Sequence, residues 1–250
     1  MSVSDRLSKR LEAVAGFVTK GNGIIDIGTD HAYLPIELIS RGIASSALAV
    51  DVNPGPLERA KENIRKAGLE DKIKISLGNG LSGVDDTAGK SIIIAGMGGP
   101  LALGILEAYP EKIAASSEFI LQIQSRIEDF RRGLEKINIK IIDEDMVFEN
   151  GKYYPVIKAV SAGDFPKEEP SDKKDANALK NLIHYRYGPV LMEKKSGVLM
   201  EFLIFERGIL DKAIEEIKRN KSDSKETKEK LKELEEKRYL NREAERLMSV

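Results

Sequence analysis

Five short runs of apolar, mostly β-branched residues recur along the first half of the chain, and what lies between them decides the fold. The runs are GIIDI (23–27), ALAVDV (47–52), KIKIS (72–76), SIIIAG (91–96) and EFILQI (118–123). Between them stand PGPLERAKENIRKAGL, GPLALGILEAYPEKIAAS and SRIEDFRRGLEKIN, each with apolar residues at helical spacing. Strand–helix alternation of this kind predicts a parallel sheet covered on both faces, whose strands read as unbroken apolar runs. The next stretch, IKIIDEDMVFENGKYYPVIKAVSAG, reads instead as two strands joined at ENG. Asn-Gly accepts positive φ, so this is a hairpin. The expectation is a seven-stranded α/β sheet, five parallel strands followed by an antiparallel pair. A nicotinamide-binding sheet usually lacks that pair.

The flanks read differently. The first residues, MSVSDRLSKRLEAVAGFV, carry Leu7, Leu11, Val14 and Val18 at helical spacing and lack the apolar core of a signal segment. After the hairpin, AGDFPKEEPSDKKD is polar and Pro-bearing, as linkers are. Beyond it the chain is almost all helix formers. One long helix places Leu199, Leu203, Leu210, Ile214 and Ile217 along a face, and a second carries Leu231, Leu234, Leu240 and Leu247, with RNKSDSK as the loop between. A coiled-coil hairpin fits best. The domains expected are 1–163 and 164–250.

Composition removes several classes of function. There is no cysteine, so disulfides and thiol chemistry are excluded, and with two histidines a metal site would need carboxylates. The formal net charge is −1, so a nucleic-acid surface must be local. No run of about 18 apolar residues is present, which argues against a membrane span and for a cytoplasmic protein.

Ligands of open parallel sheets bind beyond the carboxyl ends of the strands, where strand order reverses. At those ends stand DIGTDHAY, VDVNPGP, GNG and AGMGG. Gly28 lets the chain turn close to a ligand. The nicotinamide pattern G-x-G-x-x-G is absent, since Asp30 and Tyr33 occupy the second and third glycine positions. An acidic loop suits a ligand with a cationic amino-acid end and no phosphate, such as S-adenosylmethionine. Asp51 can accept both hydroxyls of a ribose, or it caps the following helix. Asn79 can meet an adenine edge, or it is a turn residue. Gly96, Gly98 and Gly99 clear space where two ligands meet, since a tight turn alone needs one or two of them. His31 is either a hydrogen-bonded core histidine or, with Asp30 and Tyr33 beside it, part of the site.

DIGTDHAYLPI, AVDVNPGP, GNGL and IAGMGG, in this order, resemble the bacterial tRNA (adenine-22-N1)-methyltransferases, as do LSKRLEAVA, DEDMVFENGKYY and YGPVL. The resemblance spans nearly the whole chain. It implies a seven-stranded class I S-adenosylmethionine-dependent methyltransferase (Rossmann-like) domain with a C-terminal coiled-coil domain. It assigns the cofactor to Asp26, Gly28, His31, Asp51, Asn79, Gly80, Gly96, Met97 and, from the first helix, Arg10, or else Arg10 is a solvated helix-face residue. One departure stands out: after Leu121-Gln122 the family usually reads Pro-Asn, whereas this chain has Ile123-Gln124.

The implied reaction is methyl transfer to a ring nitrogen whose lone pair needs no base. Asp30 is the catalytic candidate, stabilising the cation that forms near N6. Tyr33 stacks on the base or belongs to the core, and Gly98 lies on the substrate side. N1 is hidden in a duplex, so the adenine must be unpaired or extruded. The tRNA partner is expected to meet Lys173, Lys174, Lys180 and Arg186, whose alternative is ordinary solvation; no membrane and no obligate protein partner are expected. A small-molecule methyltransferase, a non-catalytic nucleotide- or partner-binding protein, and a nicotinamide oxidoreductase are the competing readings.

Overall fold

The computed structural model describes residues 7–163, 174–220 and 224–249. The expected linker over 164–173, with Lys173 in it, and the side chain of Lys174 lie outside the described residues. The chain divides into two compact units, Met1–Pro166 and Lys167–Val250.

In the first unit the elements run α1 (Lys9–Phe17), β1 (Ile24–Ile27), α2 (Tyr33–Ser40), β2 (Ala47–Asp51), α3 (Pro54–Ala67), β3 (Ile73–Leu77), β4 (Ser91–Gly98), α4 (Gly99–Glu107), α5 (Pro110–Ala115), β5 (Glu118–Ser125), α6 (Ile127–Lys136), β6 (Ile139–Glu149) and β7 (Lys152–Ser161). The helix expected as one piece after β4 is broken into α4 and α5 at Pro110, whose ring cannot continue a helix.

All seven strands form one sheet in the order β3-β2-β1-β4-β5-β7-β6. The first five are parallel, and β7 lies antiparallel between β5 and β6. The order turns around between β1 and β4, the neighbours Asp26 and Ile93 marking the seam. The hairpin turns at Asn150 (φ +50°) and Gly151 (φ +77°), the left-handed pair that a two-residue turn requires.

Two apolar layers hold this sheet. On one face Ile24, Ala49, Ile73, Ile93, Ile120 and Val156 pack under α1, α2 and α3 through Val14, Leu38, Ala60 and Ile64. On the other, Ile25, Val50, Ile92, Ile94, Phe119 and Leu121 meet α4 and α6 through Ala102, Leu106, Phe130 and Leu134. Each buried isoleucine contributes about 2 kcal/mol of transfer free energy. Coverage is incomplete in one place. The β3–β4 connection, residues 78–90, forms no helix, and a groove of about 520 Å³ opens there along Leu48, Lys74 and Ser76.

The polar tie between α6 and β6 is buried: Arg131 donates through Nε to Glu144 Oε1 at 2.9 Å, and Arg131 Nη2 stands at the same distance. An ion pair this deep is costly to split.

The second unit holds α7 (Lys174–Tyr187), α8 (Pro189–Glu193), α9 (Gly197–Arg219) and α10 (Lys225–Ser249). The last two run antiparallel. Arg207 pairs with Glu245, Asp211 with Arg238 at 3.3 Å, and Lys218 with Glu235 at 2.7 Å. Leu199, Leu203, Leu210 and Ile214 are buried as expected. Of the expected α10 stripe, Leu231, Leu234 and Leu240 are partly buried, but Leu247 is 42% exposed, and Asn241, Ala244 and Met248 are the buried positions. Asn241 is held inward by polar bonds: it donates to the Leu203 carbonyl oxygen at 3.1 Å and to Glu206 Oε2 at 3.0 Å. Arg186, expected to meet tRNA, is turned to the same cluster and pairs with Glu206 at 2.6 Å. Lys180 is exposed. No helix among the described residues is long and apolar enough to cross a membrane.

Candidate active site

Face by face, the pleat of a sheet sorts side chains by alternate positions. Asp26 pairs with Ala49 and Ile93, so Asp51 and Ala95, two residues further along β2 and β4, share its face, and Gln122 pairs with Ala95 on the same face. These four residues therefore stand at the carboxyl edge under α1, α2 and α3, beside the seam where strand order reverses.

The loop after β1 is bent tightly. Gly28 has φ +76°, a conformation that favours glycine, and a Cβ built on it would lie 2.5 Å from Met97 Cε, the mobile tip of that side chain. Asp30 and Ala32 also take left-handed backbone, at φ +49° and +58°. Such conformations cost about 1 kcal/mol apiece in side-chain-bearing residues and concentrate at ligand sites. The loop is tied down by Thr29 Oγ1 donating to Asp26 Oδ2 at 2.7 Å and by Asn63 Nδ2 donating to the His31 carbonyl at 3.0 Å.

Asp26 is buried, and that burial pushes its carboxyl from 3.8 up to about 6; the Thr29 hydrogen bond opposes the rise and the nearby Asp51 charge adds to it. Asp51 accepts the Asp30 N–H at 3.3 Å on one oxygen and the Asn53 N–H at 2.9 Å on the other. Asn53 is the residue just before α3, so Asp51 shapes the start of that helix, and a lone pair on each oxygen still remains for a ligand.

A cavity of about 190 Å³ opens here, lined by Arg10 and Leu11 of α1, by Asp26, Gly28, Thr29, Asp30, His31, Tyr33 and Leu34, and by Ala95 of β4. Arg10 is held by donating from Nη1 to Gln122 Oε1 at 2.7 Å, with its guanidinium 5.6 Å from the centre of the Tyr154 ring. It is not a solvated helix-face arginine. His31 is no core residue either: its ring stacks on Tyr33 at 5.3 Å, and Nε2 stands 3.5 Å from Asp30 Oδ2. Tyr33, 52% exposed, forms the rim rather than the core.

Asp51, Asn79, Gly80, Gly96, Met97 and Gly98 do not line this cavity. Asn79 and Gly80 follow β3, joined to the site through the Gly78 N–H on the Asp51 carbonyl at 3.0 Å. Gly80 is buried against Ile105, 2.9 Å from where a Cβ would stand. The three glycines of AGMGG each have a local reason, contrary to the expectation that a turn would leave one spare. Gly96 has φ +90° at an irregularity in the β4–β5 pairing, a Cβ on Gly98 would stand 2.9 Å from Ser125 Oγ, and one on Gly99 would stand 2.9 Å from the Ser125 and Arg126 carbonyl oxygens. Sequence reading missed Thr29, Gln122 and Tyr154. Gln122 left a trace, an amide inside an apolar run; Tyr154 left none.

One guanidinium and two carboxylates, those of Arg10, Asp26 and Asp30, line the same cavity. A pyrophosphate would meet Asp26 and Asp30, whereas a ligand with an ammonium and a carboxylate finds a partner for each. The residues fit the amino-acid end of a sulfonium nucleoside.

A methyltransferase-domain model matches residues 7–157. The tRNA (adenine(22)-N(1))-methyltransferase of Bacillus subtilis (strain 168) is 34% identical over 238 residues, covering 95% of this chain and 96% of that protein. Streptococcus pneumoniae Sp1610 in complex with S-adenosyl-L-methionine superposes with a TM-score of 0.78 at 33% identity, over 96% of this chain and 100% of that one. M. capricolum TrmK, solved with S-adenosyl-homocysteine, gives 0.77 at 25% identity over 97% and 99%.

Proposed function

Because this chain belongs to the family of tRNA (adenine(22)-N(1))-methyltransferases, we propose that it transfers a methyl group from S-adenosylmethionine to N1 of adenine 22 in tRNA. The observation that carries the reading is the cavity at the strand-order seam, which Arg10, Asp26 and Asp30 line together. When bound, the cofactor supplies an electrophilic methyl group on its sulfonium. Asp26 takes the ammonium and Arg10 the carboxylate. Gly28 belongs to the cofactor loop with His31 beside it, Asp51 holds the ribose on its remaining lone pairs, Asn79 and Gly80 flank the adenine ring, and Gly96 with Met97 lines the methyl-donor side.

The chain's own work in the reaction is positioning and charge. Adenine N1 presents an in-plane lone pair, so no residue need remove a proton first. Methylation makes the ring cationic, and Asp30 at the cavity rim stabilises that charge near N6 or takes the N6 proton afterward. Holding the two reactants together supplies much of the remaining acceleration. Tyr33, exposed and backed by His31, offers a stacking surface for the extruded base, with Gly98 on the substrate side.

The domain division follows from the same reading: 1–163 is the methyltransferase domain, and 164–250 is a helical coiled-coil arm that binds tRNA, with Lys180 among its contacts. The place of action is the cytoplasm, where tRNA is found. The deciding experiment is mass spectrometry of nucleosides from tRNA incubated with the protein and a labelled methyl donor, with primer extension to locate the product. A labelled 1-methyladenosine stopping extension at position 22 is expected. No methylated nucleoside, or label at another atom, overturns the reading.

A further inference from the structure

Gln122 is the least explained polar residue near the cavity. It is 0% exposed within β5, and its Nε2 finds no acceptor among the described protein atoms. A buried amide with an idle donor is unfavourable compared with an apolar side chain of the same size. Something else must account for it, and one bond does: Gln122 Oε1 accepts the Arg10 Nη1–H at 2.7 Å across 112 residues of chain. Gln122 is not among the residues that line the cavity, whereas Arg10, which it holds, is. The link from Gln122 to the cavity runs through the guanidinium.

We propose that Gln122 is a positioning residue, whose carbonyl and the face of Tyr154 fix the Arg10 guanidinium in the pose that meets the carboxylate of the cofactor's amino-acid end. The two supports do different things. The hydrogen bond sets the direction of one guanidinium nitrogen, and the ring, 5.6 Å from the guanidinium carbon, limits its tilt while leaving the other N–H groups free for a ligand. Arg10 lies on α1, whereas Gln122 and Tyr154 lie on β5 and β7, so the clamp is built from the two ends of the domain. The inference rests on the cofactor reading above and adds the residue that orients it.

The test compares two probes by calorimetry: S-adenosylhomocysteine, which has the carboxylate, and 5′-methylthioadenosine, which lacks the whole amino-acid end. Gln122→Met should weaken S-adenosylhomocysteine about tenfold and leave methylthioadenosine within about twofold of the unmodified protein. Arg10→Met should show the same selectivity, and adding Gln122→Met to it should change nothing further. Gln122→Glu, which keeps an acceptor for the guanidinium, should retain binding. Melting of each variant guards against misfolding, and Gln122→Met is expected to melt no lower than the unmodified chain. Equal weakening of both probes, no weakening of either, or a further loss in the Arg10→Met background would overturn the proposal. An unmodified protein that binds neither probe would instead overturn the cofactor reading itself.

Discussion

Asp26→Asn should make the fold more stable at neutral pH while damaging its site. Burial raises the Asp26 carboxyl from 3.8 to about 6 in the folded chain. A folded-state value above the unfolded one means that this group favours folding most below the unfolded value of 3.8. That contribution is lost as pH rises through about 6. The linkage corresponds to about 3 kcal/mol of stability forgone at pH 7.5, relative to a residue that never ionises. Asparagine keeps an oxygen for the Thr29 hydroxyl but brings a buried N–H₂, whose cost of about 1 kcal/mol does not vary with pH. The informative quantity is therefore the difference between the variant and the unmodified chain. It should shift by about 2 to 3 kcal/mol in the variant's favour between pH 4 and pH 7.5, with most of the change between 4 and 6. Urea unfolding at a series of pH values measures it, because carboxylates remote from residue 26 titrate alike in both proteins and cancel. A difference that stays flat across that range would refute the claim that Asp26 is held ionised against its surroundings. Binding should move oppositely, with S-adenosylhomocysteine affinity falling in the unmodified chain as pH drops below about 6.

Asp30→Asn should lower kcat at least about tenfold with little change in cofactor affinity, since only the developing cation needs its charge; single-turnover methylation alongside calorimetry separates the two. Gly28→Ala puts a methyl group 2.5 Å from Met97 Cε at φ +76°. It should cost about 1 kcal/mol from backbone strain alone and weaken cofactor binding; Met97→Ala in the same chain should relieve the collision but not the strain, as thermal melts will report. Arg131→Met leaves the Glu144 carboxylate buried without its partner and should destabilise the domain by about 3 to 5 kcal/mol. Replacing both by apolar residues should recover most of that loss in the same unfolding assay.

Much of this architecture is legible in the sequence because its causes are local. An unbroken run such as SIIIAG declares a strand covered on both sides, and Asn150-Gly151 declares a hairpin. Asp26 and Asp51 could be picked out because a parallel sheet exposes its strand ends at one edge. What could not be read depends on partners distant in the chain. Nothing near Arg10 tells of Gln122 or Tyr154. Gly80 and Gly99 look like loop glycines, yet their need is set by Ile105 and by the carbonyls of Ser125 and Arg126. The α10 stripe misled at Leu247 because leucine spacing does not tell which polar residue finds partners inside. Asn241, bonded to Leu203 and Glu206, is buried, while Leu247 is exposed.

Helix α1 rests on β5, β6 and β7, the last strands of its domain to be made. Lys9 donates its amide hydrogen to Glu149, and Lys158 reaches back to the Phe17 carbonyl. On a translating ribosome, most of the surface on which α1 packs is missing until residues near 160 have left the exit tunnel. Through that interval Leu11, Val14 and Val18 stay bare, and half-made chains are the ones most prone to stick to one another or to be held by a chaperone. Completion of the cavity is thereby deferred to the end of domain synthesis, because Arg10, which lines it, is held by Gln122 and Tyr154.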